Sequence, residues 1–169
     1  VEMAEDGRVD MLINAAGLNH FGLFDEQSPA VISSMVDLNV TATLLLTQAL
    51  LPRLLHENSA WIVNLGSAFG AIGHPGYTAY CTTKFALRGF SQALRRELAD
   101  TPVRVLHISP RATRTDMNSA HADALNTAQG NHVDDPAQVA AGVIRGIEKH
   151  APDRQLGWPE CLLVKLNGI

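Results

Sequence analysis

What this sequence has little of narrows it first. Two cysteines, Cys81 and Cys161, occur in 169 residues. Both stand in apolar or helical contexts, so a reduced, cytoplasmic chain is expected rather than a disulfide framework. Basic residues are in deficit, 13 against 17 acidic, for a net charge of −4, which leaves no electrostatic footprint for nucleic acid. Long apolar runs are also wanting: the stretch 42–55 is interrupted by Thr47, Gln48, Pro52 and Arg53, and no membrane span is expected. Residues 1–10 are acidic and polar, unlike a signal peptide. The seven histidines, at 20, 56, 74, 107, 121, 132 and 150, show no ligand spacing with Cys or carboxylates, so no metal site is expected.

What is present is an ordinary globular composition, 46% hydrophobic and 18% charged, of a length that fits one domain, 1–169. Residues 9–14 (VDMLIN), 61–65 (WIVNL) and 103–109 (VRVLHIS) are short, nearly continuous apolar runs. Such runs read as strands of a parallel sheet covered on both faces. Between them lie helical patterns. Ser28 and Pro29 open one, as N-cap and first helical residue. It continues to about His56, long enough that a kink is expected near 39–41. A second runs over about 77–99, and Asp135-Pro136 caps a third, to about His150. Residues 115–128 are weakly helical, and a short strand is expected near 154–157. Alternation of this kind means βαβ units and an α/β, doubly wound parallel sheet.

The chemistry-bearing residues gather at one rim. Tyr80 and Lys84 are four apart on a helical pattern, so they share a face. Ser67 follows the carboxyl end of a buried strand, where ligands bind in open α/β sheets. Asn14 to Gly17 and Pro110 mark the same ends of two neighbouring strands. Y-x-x-x-K alone is a weak signal, better read as a solvated lysine beside a half-buried tyrosine; the convergence favours a site. Gly66, Gly70 and Gly73 could pass for a phosphate loop, but their spacing is wrong for G-x-G-x-x-G.

Taken together, N-A-A-G at 14–17, L-N-V at 38–40, N-L-G-S at 64–67, Y-C-T-T-K at 80–84 and P-R-A-T-R-T at 110–115 resemble the short-chain dehydrogenase/reductase family in order and spacing. The resemblance implies a Rossmann-like fold and a nicotinamide-dependent oxidoreductase interconverting a secondary alcohol and a ketone. The cofactor would be NAD or NADP, with NADP the slightly commoner family habit. It assigns catalysis to Asn39, Ser67, Tyr80 and Lys84. Ser67 would polarise the substrate oxygen, Tyr80 would act as acid or base, and Lys84 would lower the Tyr80 pKa and bind the nicotinamide ribose. Asn39, at the expected kink, would hold a water in a proton relay. Cofactor contacts fall to Asn14, Ala15, Ala16, Gly17, Tyr80, Lys84, Pro110, Thr113 and Thr115, and substrate contacts to Ser67, Ala68, Phe69 and Tyr80. Leu18, His20 and Phe21 are further lining candidates, and residues 116–132 match the family's substrate lid. A homodimer or homotetramer is implied, through the helices 41–56 and 77–99, although Leu44, Leu45, Leu46 and Leu50 could equally pack on the sheet.

Two departures stand out. Arg111 replaces the family's usual glycine, where its planar fork could bind an anionic group or face solvent; the solvent reading is preferred. The family's opening strand–T-G-x-x-x-G-x-G–helix, which binds the pyrophosphate, has no counterpart, and residues 9–14 match the family's fourth strand. These 169 residues are therefore expected to be part of a longer protein, a partial Rossmann-like domain whose strand 9–14 would be an open, apolar edge prone to aggregation. A degenerate, non-catalytic binding or scaffold subunit is the alternative, and epimerisation or dehydration on the same framework a third.

Overall fold

The computed structural model describes residues 7–115, 117, 132–158 and 160–167. Four strands, β1 (Met11–Asn14), β2 (Ala60–Leu65), β3 (Val103–Ser109) and β4 (Asp153–Gln155), lie in the order β1-β2-β3-β4. Every neighbouring pair is parallel. The helices between them are α1 (Pro29–Val36), α2 (Thr43–Leu55), α3 (Thr78–Glu97), α4 (Pro136–Glu148) and α5 (Glu160–Asn167). Short 3-10 turns occupy Phe24–Glu26 and Ala68–Gly70. The expected doubly wound α/β architecture is therefore the observed one. The 3-10 turns and α5 were not foreseen. The weak helix expected at 115–128 and the lid at 116–132 fall almost wholly outside the described residues.

The helix starts follow from side-chain chemistry. The Ser28 hydroxyl accepts from the Val31 N–H, with Pro29 at the first position of α1. Asp135 caps α4 in a reciprocal box with Gln138, which satisfies amides that have no partner within the helix. Between α1 and α2 the chain does not break. Asp37–Ala42 widens into a π-helical turn, which is where the kink was expected. The whole helical run, Pro29–Leu55, has 27 residues and is long and apolar enough, by length and composition alone, to cross a membrane; the segment 42–55 taken alone did not register this. Here the run packs on the protein, with Met35, Asn39, Thr43, Thr47 and Leu54 buried.

Hydrophobic packing covers both faces of the central strands. On one, Leu12, Ile62 and Val105 meet Leu54 of α2 and Leu94 of α3, together with Leu98. On the other, Trp61, Val63, Leu106 and Ile108 meet Val143 and Ile147 of α4. β1 corrects the expectation of a strand buried on both faces. Leu12 and Asn14 are buried, but Met11 and Ile13 are 38% and 50% exposed. α4 lies over β3, and the described residues leave the far face of β1 uncovered. β1 hydrogen-bonds only β2, so its outer edge is open among the described residues, as expected.

A chain of polar side chains threads the buried layer between sheet and helices. Asn14 Nδ2 donates to Asn64 Oδ1 at 2.8 Å and lies 3.1 Å from Thr47 Oγ1. Asn64 Nδ2 donates to Ser91 Oγ at 2.9 Å, and Ser91 Oγ donates to the Leu87 carbonyl. Two strands and two helices are thereby fixed in register, because a buried amide left unpaired costs more than the bond returns. Asn64→Leu is expected to lower unfolding free energy by about 2–4 kcal/mol despite its greater hydrophobicity. Urea unfolding checks this, and an unchanged midpoint would show the network to be dispensable.

Candidate active site

Because the sheet is parallel, β1, β2 and β3 all end at one rim. The ladder runs one step past β2, where the Gly66 N–H donates to the Ile108 carbonyl at 2.7 Å. Ser67 follows in extended backbone, and its Oγ accepts from the Phe69 N–H. The Ala68 N–H then donates to the Pro110 carbonyl at 2.9 Å. The segment carrying Ser67 is thus tied directly to the turn after β3.

α3 supplies the next two groups. Tyr80 and Lys84 are 9% and 6% exposed. The Ser67 side chain is near enough to the Tyr80 phenol to favour its ionised form. Lys84 Nζ donates to the Leu65 carbonyl at 3.0 Å, two residues before Ser67, and lies 5.6 Å from the centre of the Tyr80 ring. α3 can approach this closely because residue 70 is glycine: a Cβ there would come within 2.8 Å of the Lys84 carbonyl oxygen. Phe69 packs edge-on to Tyr80 at 6.5 Å.

Asn39 joins the third strand end to this pair. The wide turn Asp37–Ala42 buries it to 1% exposure. Its Oδ1 accepts from the Leu18 N–H at 2.7 Å, and its Nδ2 donates to the Leu18 carbonyl and to Thr83 Oγ1. Thr83 in turn donates to the Tyr80 carbonyl. Gly17 sits against this cluster, and a Cβ there would lie 3.2 Å from Asn39 Oδ1 and 3.8 Å from Lys84 Nζ. The structure therefore brings Asn39, Ser67, Tyr80, Lys84 and Gly17 into one place. Thr83 was missed, although its position within T-T-K, beside Lys84, was a signal for it.

Other expected contacts are sorted by their surroundings. Ala15 and Ala16 are exposed beside Gly17, whereas the Asn14 side chain points into the buried polar chain and offers a ligand only its backbone. Ala68 is buried, and Phe69 stacks on His74 and meets Tyr77. Thr113 donates to the Arg111 carbonyl, and Thr115 is exposed. Arg111 overturns the solvent reading. It makes two bonds to the Asp134 carboxylate and a third to the Trp158 carbonyl, with its side chain 14% exposed. A fork with a matching carboxylate in reach is held more strongly by it than by water.

Burial governs the electrostatics. It pushes the Tyr80 phenol up to about 12, opposed by the Ser67 hydrogen bond, and it pulls the Lys84 ammonium down to about 8. Removing the phenol from water penalises the phenolate by more than its hydrogen bond returns.

The profile of the short chain dehydrogenase family matches residues 2–126. A 3alpha-hydroxysteroid dehydrogenase of Mediterraneibacter gnavus is 36% identical over 121 residues, 72% of this chain and 48% of the relative. The chain thus spans about half the length of such curated relatives. A short-chain dehydrogenase structure from Streptomyces avermitilis superposes with a TM-score of 0.80 at 30% identity, covering 95% of this chain and 64% of that one. One from Burkholderia cenocepacia, in complex with NADP, gives 0.79 at 28% identity, over 91% and 66%.

A stability test follows from the buried ammonium. Lys84 binds its proton less tightly folded than unfolded, so it lowers stability below pH 8, and that deficit disappears as pH rises toward 10.5. Lys84→Met is expected to raise unfolding free energy at pH 6–7 by roughly 1–3 kcal/mol, after allowing for the lost bond to Leu65. The gap should close by about pH 10.5. Denaturant titrations at the two pH values check this; a gap that does not change with pH would refute the assignment.

Proposed function

The chain belongs to the short-chain dehydrogenase family, and we propose from this that it is the catalytic side of a nicotinamide-dependent oxidoreductase that interconverts a secondary alcohol and a ketone. The observation that carries the reading is the linkage of Lys84 and Tyr80 to one strand end. Lys84 is bonded to the Leu65 carbonyl, and Tyr80 stands beside Ser67 two residues on.

The residues fit the nicotinamide end of such a cofactor. Ala15, Ala16 and Gly17 offer an exposed backbone with little side-chain bulk. Lys84 has three ammonium donors, one of them engaged by the Leu65 carbonyl, leaving others for ribose hydroxyls. Pro110, Thr113 and Thr115 would line the carboxamide side. When bound, the cofactor supplies or accepts the hydride; the protein's part is positioning and the proton. Ser67 Oγ donates to the substrate oxygen as charge builds on it. Tyr80, whose pKa burial holds at about 12, is fully protonated near neutrality and gives its proton to that oxygen. Lys84 and the Asn39–Thr83 pair hold the phenol in place, and Asn39 would steady a relay water.

The same reading has the chain working in the cytoplasm, where the free thiols of Cys81 and Cys161 stay reduced, on a small carbonyl or alcohol. It also has the chain working as a homo-oligomer. Support for the last is an inverted helix pattern. Asn39, Thr43 and Thr47 face inward, while Leu44, Leu45 and Leu46 are 37%, 60% and 38% exposed. Leu50 packs against the core, which leaves the other three for a partner. Exposed apolar area of this kind marks an interface.

Two measurements test these statements in the natural full-length polypeptide. Tyr80→Phe is expected to lower carbonyl reduction by about 10²–10⁴ with reduced-cofactor binding retained; full turnover would refute the assignment. Leu45→Glu is expected to halve the molar mass seen by light scattering, or reduce it further, without unfolding the protein. An unchanged mass would move the interface elsewhere.

A further inference from the structure

We infer that Arg111 is a positioning residue that, through its ion pair with Asp134, fixes the turn after β3 and so sets the affinity for the nicotinamide end of the cofactor. This rests on the dehydrogenase reading. The resemblance puts a glycine at position 111, so the role belongs to this chain in particular.

The geometry is that of a cross-link. Arg111 Nε and Nη2 donate to the two Asp134 carboxylate oxygens at 3.0 and 2.7 Å. The partners' side chains are 14% and 10% exposed, so water competes weakly for the pair. Arg111 Nη1 donates to the Trp158 carbonyl at 3.1 Å, just before α5. Three loops at the same end of the sheet thus meet on one guanidinium. His132 Nε2 also lies 3.7 Å from Asp134 Oδ1, at the exposed side of the pair.

Backbone bonds carry the constraint to the site. The Arg114 N–H donates to the Asp134 carbonyl at 2.9 Å, and the Asp134 N–H donates to the Ala112 carbonyl at 2.8 Å. Thr113 and Asp134 form a parallel bridge. Thr113 Oγ1 donates back to the Arg111 carbonyl. On the other side, the Pro110 carbonyl accepts from Ala68 N–H, next to Ser67. Asp134 is itself anchored, because Asp135 caps α4. A glycine would leave the 110–115 turn free to sample several conformations. The Arg111–Asp134 fork selects one, and a preordered turn loses less entropy on binding. Lysine keeps the charge but cannot make the bidentate contact.

Tyr80, Lys84 and Ser67 are held by α3 and β2, so loss of the cross-link should act on binding more than on chemistry. In the full-length protein, Arg111→Ala and Asp134→Asn are each expected to raise KM for the reduced nicotinamide dinucleotide about 10-fold. Both NADH and NADPH serve as probes. kcat should stay within about threefold, with the pH profile unchanged. The double variant should be no worse than either single one, the signature of a shared interaction. Arg111→Lys should fall between wild type and Arg111→Ala, and it carries the test if Arg111→Ala fails to fold. A merely structural role would lower kcat in proportion to folded protein and leave KM alone. A wild type that binds neither dinucleotide sinks the dehydrogenase reading, and this inference with it. Wild-type binding with an unchanged KM in the variants overturns the positioning role alone.

Discussion

The side-chain amide of Asn39 is the point on which the site hangs. It bonds both backbone groups of Leu18, beyond the β1 end, and the hydroxyl of Thr83, within the turn of α3 that carries Tyr80 and Lys84. A regular helix would carry the residues after Asp37 onward at 100° each. The wide turn Asp37–Ala42 alters that spacing and buries Asn39. π-bulges of this kind are rare in helices and frequent at functional sites. Here the irregularity lets one amide hold a strand end and α3 at a fixed separation, with Gly17 small enough to fit between.

Around that point the protein accepts electrostatic cost. Lys84 is buried, donates to the Leu65 carbonyl and faces the Tyr80 ring, and burial lowers its pKa to about 8. Tyr80 is buried beside it and holds its proton to about 12. Neither is what a packing argument alone would choose, since apolar side chains of similar volume would avoid the desolvation. Both groups are displaced chiefly by burial at the same strand-end rim. The polar chain Asn14–Asn64–Ser91, by contrast, leaves no fully buried side-chain atom unpartnered and serves register.

Much of this was legible in the sequence because the signals were local. Ser28-Pro29 and Asp135-Pro136 carry their capping chemistry within a few residues. VRVLHIS at 103–109 is a strand on composition alone, and β3 spans those same residues. Tyr80 and Lys84 share a face by helical spacing. The kink near Asn39 followed from excessive helix length, but the π-helical form it takes did not. What stayed hidden depended on distant partners or on burial. Arg111 was placed in solvent because Asp134 lies 23 residues away, beyond any spacing rule. The Asn14 side chain turns inward for the sake of Asn64, 50 residues on. The uncovered face of β1 and the upward displacement of Tyr80 depend on how elements stack, which periodicity does not encode. The apolar end of the chain forms α5, whose Asn167 donates to the Ala71 carbonyl beside the site.

The all-parallel sheet has a kinetic consequence. No two neighbouring strands are joined by a hairpin: Met11 pairs with Trp61, Ala60 with Val103 and His107 with Asp153. Each pairing must close a loop of more than forty residues before any interstrand bond forms, so the entropy is lost before the contacts return it. The helices form quickly on their own timescale, but the sheet must wait for several long closures. During that interval the hydrophobic strands and the outward leucines of α2 are exposed together. The molecule is therefore most vulnerable to clumping while it is being made, and slow synthesis, low temperature or a holdase chaperone should raise its yield more than any change to the finished fold.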